Sequence, residues 1–301
     1  MARLKYVVIR STSKTTIMQH PMLNIAVMAA RKAGDLINRA TLELDKIKVT
    51  SKGVGDYVSD VDHLAEQTIV EMLLNAYPTH AILAEEGTQG ADNANAHFTW
   101  VIDPIDGTTN FIHGLPHFAV SIALQVGGVT EQAVIYAPAT NDLYTASKGL
   151  GAFCNNRRMR VSKRARMAES LLGTSFPVKT AVEARAFGEL MLDLSAASAG
   201  VRRMGSAVLD LAHVASGAFD GYYGVGLKPW DIAAGALMVS EAGGLVSDAL
   251  GEGDYLQTGS IVAGNQKVFA QLLPIVGPTM VGLDKRAARA VAIADAATAS
   301  A

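Results

Sequence analysis

The chain opens with two stretches of helical periodicity. Between Met22 and Ala40 apolar residues recur every three or four positions, which is the period of an amphipathic helix. A second helical pattern follows Ser59. There Ser59 and Asp62 stand three positions apart before an apolar run, as in a capping box with Asp in place of Glu or Gln. Pro78 lacks a backbone N–H and predicts where this helix ends.

Short apolar runs separated by turn residues make up the next part of the chain. The runs at 81–84 and 98–102 each end directly in acidic residues, as strands do when they carry side chains to a cleft. Between Phe118 and Val161, four strand-like runs are interrupted by Gly-Gly, Pro and Asn-Asn turns. This pattern predicts an antiparallel meander.

After about Lys163 the pattern changes to strands that alternate with helices, the latter over 181–197, 206–216 and 229–241. We therefore predict an N-terminal α+β domain and a C-terminal α/β domain. The first covers residues 18–164 and the second 165–280. Residues 1–17 and 281–301 are predicted to be flexible extensions, with Met18 as an alternative first residue.

Composition narrows the class of protein. Of 301 residues 50% are hydrophobic and 18% charged, which suits a folded α/β protein and excludes a disordered chain. The net charge of −2 gives no global attraction to nucleic acid or anionic lipid. The single cysteine, Cys154, excludes an intrachain disulfide and a Cys-rich zinc site. With no apolar run long enough to span a bilayer, we expect a cytoplasmic protein without a membrane partner.

The segment 100–110, WVIDPIDGTTN, carries the clearest chemical signal. A strand-like run ends in Asp103 and Asp106, and Pro104 and Gly107 predict a sharp turn that lets both acids face one cavity. The carbonyl of Ile105 is available there as a third oxygen, and oxygen ligands suit Mg²⁺ better than zinc. Taken alone, the two acids could also merely cap a turn.

Further candidates lie elsewhere along the chain. Gly107 and Thr108 can open a short helix whose amides would meet phosphate oxygens. Glu85 ends the preceding strand and Asp231 falls in a first helical turn, although a solvated strand end and a helix-dipole role explain them as well. Asp62 suits a cap better than a ligand. If these acids converged, their repulsion would require bound cations.

Three motifs in this order resemble those of the inositol monophosphatase family: AEEG at 84–87, WVIDPIDGTTNF at 100–111 and KPWDIAAG at 228–235. The likeness runs from about Met18 to Pro278. It implies a layered αβαβα fold, a homodimer, and lithium-sensitive, Mg²⁺-dependent hydrolysis. The substrate would be inositol monophosphate or a related small polyol or sugar phosphate, split into an alcohol and inorganic phosphate.

The resemblance also assigns residue roles. Thr108 and Glu85 would orient the attacking water, with Asp103 as a further catalytic residue, and Lys52 lies near a loop that the family folds over a third metal. The implied metal ligands are Glu85, Asp103, the Ile105 carbonyl, Asp106, Asp231 and, at a weaker site, Asp62. The implied substrate contacts are Ile105, Asp106, Gly107, Thr108, Arg202, Ala207 and Asp231.

One position departs from the family pattern. Seven residues before Asp231, where members acting on inositol phosphates often carry a Glu that binds ring hydroxyls, this chain has Gly224. Inositol preference is therefore in doubt, and sugar phosphates or nucleotide phosphates become alternative substrates.

A second class of function is also open. Bacterial members of the family are associated with transcription antitermination alongside RNA polymerase, Nus factors and ribosomal RNA. Six cations lie between Arg157 and Arg166, a run that could meet RNA phosphates or an acidic partner. A solvated charge run explains it as well, because no aromatic residues are interleaved for base stacking.

Overall fold

Two β-sheets and three helical layers alternate through the molecule. The structure is a computed structural model that describes residues 20–53, 56–88, 96–176 and 180–299. The layered αβαβα arrangement expected from the sequence resemblance is confirmed. Among the described helices, none combines the length and hydrophobicity that a bilayer span requires.

The first layer contains two helices that pack against each other, α1 (Pro21–Ala40) and α2 (Asp60–Ala76). Between them lie a 3₁₀ helix and a hairpin that the sequence did not predict: Thr41–Lys46, β1 (Val49–Gly53) and β2 (Asp56–Ser59). The predicted capping box is present, since the Asp62 carboxylate accepts hydrogen bonds from the Ser59 amide at 2.9 Å and from its hydroxyl at 2.5 Å. The start of α2 is thereby fixed.

The second layer is a seven-stranded sheet in sequential order, β3 to β9. Its strands are β3 (Ala81–Ala84), β4 (Phe98–Asp106), β5 (Ala119–Val126), β6 (Val129–Ala137), β7 (Asp142–Ser147), β8 (Gly151–Cys154) and β9 (Arg157–Arg158). β3 is parallel to β4, and the remaining pairs form the predicted antiparallel meander. The pairing of β4 with β5 is irregular between Asp103 and Asp106, where Pro104 has no amide to donate.

The other layers come from the C-terminal part. The short helix α3 (Thr108–Ile112) follows β4. The later elements are β10 (Leu171–Ser175), α4 (Ala181–Ala197), β11 (Gly200–Arg202), α5 (Ala207–Ser216), β12 (Gly221–Gly224), α6 (Pro229–Glu241), β13 (Leu245–Ser247), α7 (Tyr255–Thr258), β14 (Ile261–Gly264) and α8 (Gln266–Ala299). The five-stranded sheet has the order β11-β10-β12-β14-β13. Helices α5 and α6 lie between the two sheets, while α4 and α8 cover the outer face.

Each contact between layers has its own apolar core. The core between the sheets joins Val101 of β4 and Ile135 of β6 to Leu211, Ile232 and Ile261 of the C-terminal part, so the two predicted domains pack directly on each other. Their boundary near residue 164 stays a prediction. Residues 1–17 lie outside the described part of the chain, and residues 281–299 continue helix α8.

The close approach of α5 and α6 can be tested at Gly235. A Cβ built there would lie 2.5 Å from the Leu211 Cβ, so Gly235→Ala should destabilise the protein by about 1–3 kcal/mol through overpacking. In the matched control Gly188→Ala on α4, the new Cβ meets nothing within 4 Å. That change should stabilise the helix by up to about 1 kcal/mol. Urea denaturation measures both, and equal effects would contradict the packing described.

Candidate metal and phosphate site

A small acidic cavity of about 180 Å³ opens where the end of β4 meets α6 and the β1–β2 hairpin. Its lining residues are Tyr57, Glu85, Asp103, Ile105, Asp106, Gly107, Thr108, Thr109, Gly205 and Asp231. The lining therefore includes the acids and the glycine–threonine turn that the sequence singled out, and these come from three distant stretches of the chain.

Three carboxylates form the centre of this cavity. One oxygen each from Asp103, Asp106 and Asp231 lies within 4.8 Å of the others. The first two come from the irregular end of β4, where the Ile105 amide donates to the Asp103 carboxylate at 3.0 Å. Asp231 comes from the first turn of α6. The convergence that spacing alone could not establish is thus present.

Backbone amides hold two of these acids in place. The Asp106 carboxylate accepts hydrogen bonds from the Ser206 hydroxyl at 2.6 Å and the Val208 amide at 2.8 Å, at the N-terminus of α5. The Asp231 carboxylate accepts from the Lys228 amide at 2.7 Å. Asp231 therefore caps the start of α6, and this role is compatible with a ligand role because a carboxylate has two oxygens.

Burial and mutual repulsion raise the pKa values of Glu85, Asp103 and Asp106. Burial raises the pKa of Asp103 well above its usual range, and the charges of Glu85, Asp106 and Asp231 add to the effect. Burial also raises the pKa of Glu85 and of Asp106 to about 7, in Glu85 with the neighbouring Glu86 as the next cause. The protein alone therefore disfavours full ionisation of the cluster.

The donor set fits a hard divalent cation. The cluster offers only oxygen atoms, and their ionised forms need positive charge that basic side chains supply only in part. The ammonium of Lys52 lies 3.8 Å from the Glu85 carboxylate and 2.7 Å from that of Glu86. Glu85 lies beside the three-carboxylate cluster and is hydrogen-bonded to Asp103. These residues could hold Mg²⁺.

Asp62 and Thr108 are hydrogen-bonded to each other behind the carboxylate cluster. Asp62 is fully buried and does not line the cavity. Its carboxylate accepts a hydrogen bond from the Thr108 hydroxyl at 3.0 Å, and that hydroxyl also lies 2.9 Å from the Ile105 carbonyl oxygen. The geometry gives Asp62 the role of a cap and of an anchor for Thr108, while a ligand role for Asp62 stays a prediction.

Glycine is required where the two halves of the site touch. Gly107 has a φ of 100°, and a Cβ there would lie 3.0 Å from the His117 carbonyl oxygen and 3.2 Å from that of Gly205. An L side chain would be strained in this conformation and would also separate the two backbones. The start of α3 is thereby brought against the loop that leads into α5.

Two predicted substrate contacts lie away from the lining. Arg202 ends strand β11, is exposed, and donates a hydrogen bond to the Val201 carbonyl oxygen at 3.1 Å. Ala207 is buried in the first turn of α5. Conversely, Tyr57 and Gly205 line the cavity without having been named from sequence, and nothing local distinguished them. Thr109, which belongs to the segment singled out from sequence, also lines the cavity.

The fold and the oxygen-only site together are those of a family of phosphatases with the layered αβαβα architecture. The chain belongs to the inositol monophosphatase family, whose sequence model matches residues 18–276. It is 52% identical over 262 residues to a Pseudomonas aeruginosa protein named Nus factor SuhB, an alignment that covers 86% of this chain and 96% of that protein.

Solved structures of similar proteins agree with membership of this family. Extragenic suppressor protein SuhB from Bartonella henselae matches with a TM-score of 0.82 and 40% identity, over 85% of this chain and 98% of the other. An inositol monophosphatase from Anabaena matches with a TM-score of 0.74 and 36% identity, over 84% and 94%. Proteins similar to this chain thus carry two kinds of name, one enzymatic and one from transcription.

The raised pKa values predict how the stability of the metal-free protein depends on pH. In the unfolded chain carboxyls ionise near about pH 4, whereas the folded protein holds the pKa of Glu85 and Asp106 at about 7. Between about pH 4 and about pH 7, these two carboxyls lose their protons in the unfolded chain but keep them in the folded protein. The free energy of unfolding should therefore fall as pH rises from about 4 to about 7. Because Mg²⁺ binds the ionised form, it should raise Tm more near about pH 8 than near about pH 5.

Differential scanning fluorimetry with and without Mg²⁺ measures this dependence. Glu85→Gln is the control, because it removes one of the titrating groups and should flatten the pH profile of the metal-free protein. An increase in Tm that is the same at both pH values would show that these carboxylates do not bind the ion.

Proposed function

We propose that this protein is a Mg²⁺-dependent phosphomonoesterase that hydrolyses inositol monophosphate or a related small polyol or sugar phosphate. The products would be an alcohol and inorganic phosphate. The observation that supports this proposal is the meeting of Asp103, Asp106 and Asp231 within 4.8 Å, in a cavity that Gly107 and Thr108 also line. Cation ligands and a phosphate-binding turn are thus adjacent.

Some residues of the site would hold the metal ions, and others would orient the attacking water. Glu85, Asp103, Asp106, Asp231 and the Ile105 carbonyl would hold Mg²⁺. The ions would lower the pKa of the attacking water and neutralise charge on the leaving alkoxide. Thr108 has one hydroxyl proton, which it can give to Asp62 or to Ile105, so its oxygen can accept a hydrogen bond from that water. Glu85 would orient the same water from the opposite side.

The phosphate group would lie against the turn at 107–109. The first amides of a helix lack intrahelical acceptors, and those of α3 begin at this turn beside the acidic cluster. The first turn of α5, with Ala207, would face the same group, because Gly205 brings that loop against Gly107. Arg202 remains a proposed contact for the rest of the substrate.

Selection of the alcohol would be looser than in enzymes that bind an inositol ring with a Glu. Gly224 is buried at the end of β12, and a Cβ there would lie 2.7 Å from Leu227 and 2.9 Å from the Tyr222 hydroxyl. This backbone therefore has no room for a longer side chain without rearrangement. We propose that sugar phosphates and nucleotide phosphates are accepted beside inositol phosphate.

A second candidate function is transcription antitermination in contact with RNA polymerase, Nus factors and ribosomal RNA. It is favoured by the likeness to a protein named Nus factor SuhB and by a groove of about 570 Å³ that Arg157, Arg158 and Arg160 line. Two later cations of the run are paired within the chain: Arg164 with Asp220 at 3.1 Å, and Arg166 with Glu169. Only the first part of the run would then meet a partner.

We also propose a cytoplasmic homodimer. Its support is the family resemblance together with the lone Cys154, which suits a reducing compartment. Size-exclusion chromatography with light scattering would measure the oligomeric state.

Phosphate release across a substrate panel tests the enzymatic proposal. The panel contains inositol monophosphates, sugar phosphates and nucleotide monophosphates, each measured with Mg²⁺, with chelator and with added lithium. We expect release that requires Mg²⁺ and is inhibited by lithium. Asp103→Asn and Asp231→Asn should each lower kcat by at least about 100-fold, because each removes a charged ligand.

Circular dichroism must show that both variants remain folded. Glu131→Gln is the matched control, since Glu131 lies in β6 outside the lining of the cavity, is half-exposed and forms an ion pair with Lys148 at 3.8 Å. It should leave turnover unchanged. Full activity of either aspartate variant would remove that residue from the proposed ligand set, and Mg²⁺-independent release from the wild type would refute the mechanism.

Pull-down of RNA polymerase and Nus factors tests the second candidate. The double change Arg157→Ala/Arg160→Ala removes two cations from the groove at residues outside the acidic cavity. We expect loss of capture with phosphate release retained, while Lys163→Ala, in the same run but outside the groove, should have little effect. Undiminished capture by the double variant would exclude this groove as the contact.

A further inference from the structure

Helix α2 contributes no side chain to the lining of the acidic cavity, yet two of its carboxylates support the cavity walls. Asp62 and Glu66 stand one helical turn apart, and both are fully buried. Asp62 holds Thr108 on one side of the cavity, as described above. Glu66 points to the other side, where β3 ends in Glu85 and Glu86.

Glu66 binds the backbone of the segment that carries these acids. One of its carboxylate oxygens accepts a hydrogen bond from the Glu86 amide at 2.8 Å, and the other accepts from the Thr88 amide at 2.9 Å. The Glu85 amide donates to the Ile102 carbonyl oxygen at 3.2 Å. The backbone of 85–88 is therefore held by three hydrogen bonds, two of them to a single buried carboxylate.

The two bonds to Glu66 act directly next to the cation-binding groups. The side chain of Glu86 is itself buried and contacts the Lys52 ammonium at 2.7 Å, and this ammonium lies 3.8 Å from the Glu85 carboxylate. A shift of the segment would therefore move Glu85, Glu86 and Lys52 together. Groups that orient a metal ligand commonly contribute to metal affinity although they never touch the ion.

We propose that Glu66 is a positioning residue that sets the affinity of the acidic site for Mg²⁺ by fixing the backbone on which Glu85 stands. The inference rests on the proposed function, because it assumes that Glu85 binds the ion. An ionised carboxylate suits the task, since both of its oxygens accept hydrogen bonds. In Glu66→Gln one oxygen becomes an NH₂ group that faces a backbone N–H, so one of the two bonds is lost and two donors oppose each other.

Isothermal titration of the metal-free protein with Mg²⁺ alone tests this proposal. We expect Glu66→Gln to bind Mg²⁺ about 10-fold or more weakly than the wild type. In phosphate release, the Mg²⁺ concentration at half-maximal rate should rise by a similar factor, while kcat at saturating Mg²⁺ stays near the wild-type value. A role confined to folding would lower Tm but leave the Mg²⁺ affinity of the folded protein unchanged.

The matched control is Glu71→Gln on the same helix. Glu71 is exposed and accepts one hydrogen bond, from Gln67 at 2.9 Å, so the same change of charge should leave Mg²⁺ affinity and activity unaltered. If Glu66→Gln fails to fold by circular dichroism, Glu66→Asp replaces it. That variant keeps the charge, but its shorter side chain cannot reach both amides, so the same loss of affinity is expected.

The outcomes separate the two proposals. Absence of Mg²⁺ binding by the wild type would refute the proposed function. Normal binding by the wild type together with unchanged affinity in the folded Glu66 variant would overturn the role of Glu66 alone. Equal weakening in the Glu66 and Glu71 variants would also overturn it, because the effect would then follow the net charge of α2.

Discussion

Repulsion among closely spaced carboxylates is the constraint on which this structure depends. One oxygen each from Asp103, Asp106 and Asp231 lies within 4.8 Å of the others, in surroundings that raise the pKa values of Asp103 and Asp106. The chain holds them mainly with backbone amides, at the first turns of α5 and α6 and at the irregular end of β4. Such an arrangement keeps the acids in place without neutralising them. The missing positive charge is what a divalent cation would bring.

The central acids could be predicted from sequence because their signals are local. Asp103 and Asp106 end a strand-like run around a proline, and Asp231 follows Pro229 at a helix start, so chain direction and spacing place each one. Glu66 gave no such signal, since it reads as one more residue of an amphipathic helix. Its partners lie 20 and 22 positions away, and only the packing of α2 against the end of β3 brings them together. Tyr57 was missed for a similar reason, because the hairpin that carries it was not predicted.

The basic run shows a second limit of interpretation from sequence, because residues that are neighbours along the chain can have different surroundings in the structure. Six cations between Arg157 and Arg166 look like one patch when they are counted along the chain. In the structure the Arg158 guanidinium lies 5.9 Å from the centre of the Phe153 ring, and Arg164 pairs with the buried Asp220. These cations therefore have different surroundings, and a charge count cannot say which of them a partner would meet. The antiparallel meander and the alternating α/β part were easier to predict, because they follow from the succession of strands and helices along the chain. The layered αβαβα order was expected from the family resemblance.

The middle helical layer limits how the site of this protein can change in the course of evolution. Helices α5 and α6 each pack against both sheets, and their first turns hold Asp106 and Asp231. Any drift in the distance between these two acids would have to deform the whole stack of layers. The rim of the cavity is under no such restriction, since the hairpin that carries the lining residue Tyr57 belongs to a separate element. Descendants of such a scaffold can thus acquire new ligands by rebuilding the rim while the interior stays as inherited.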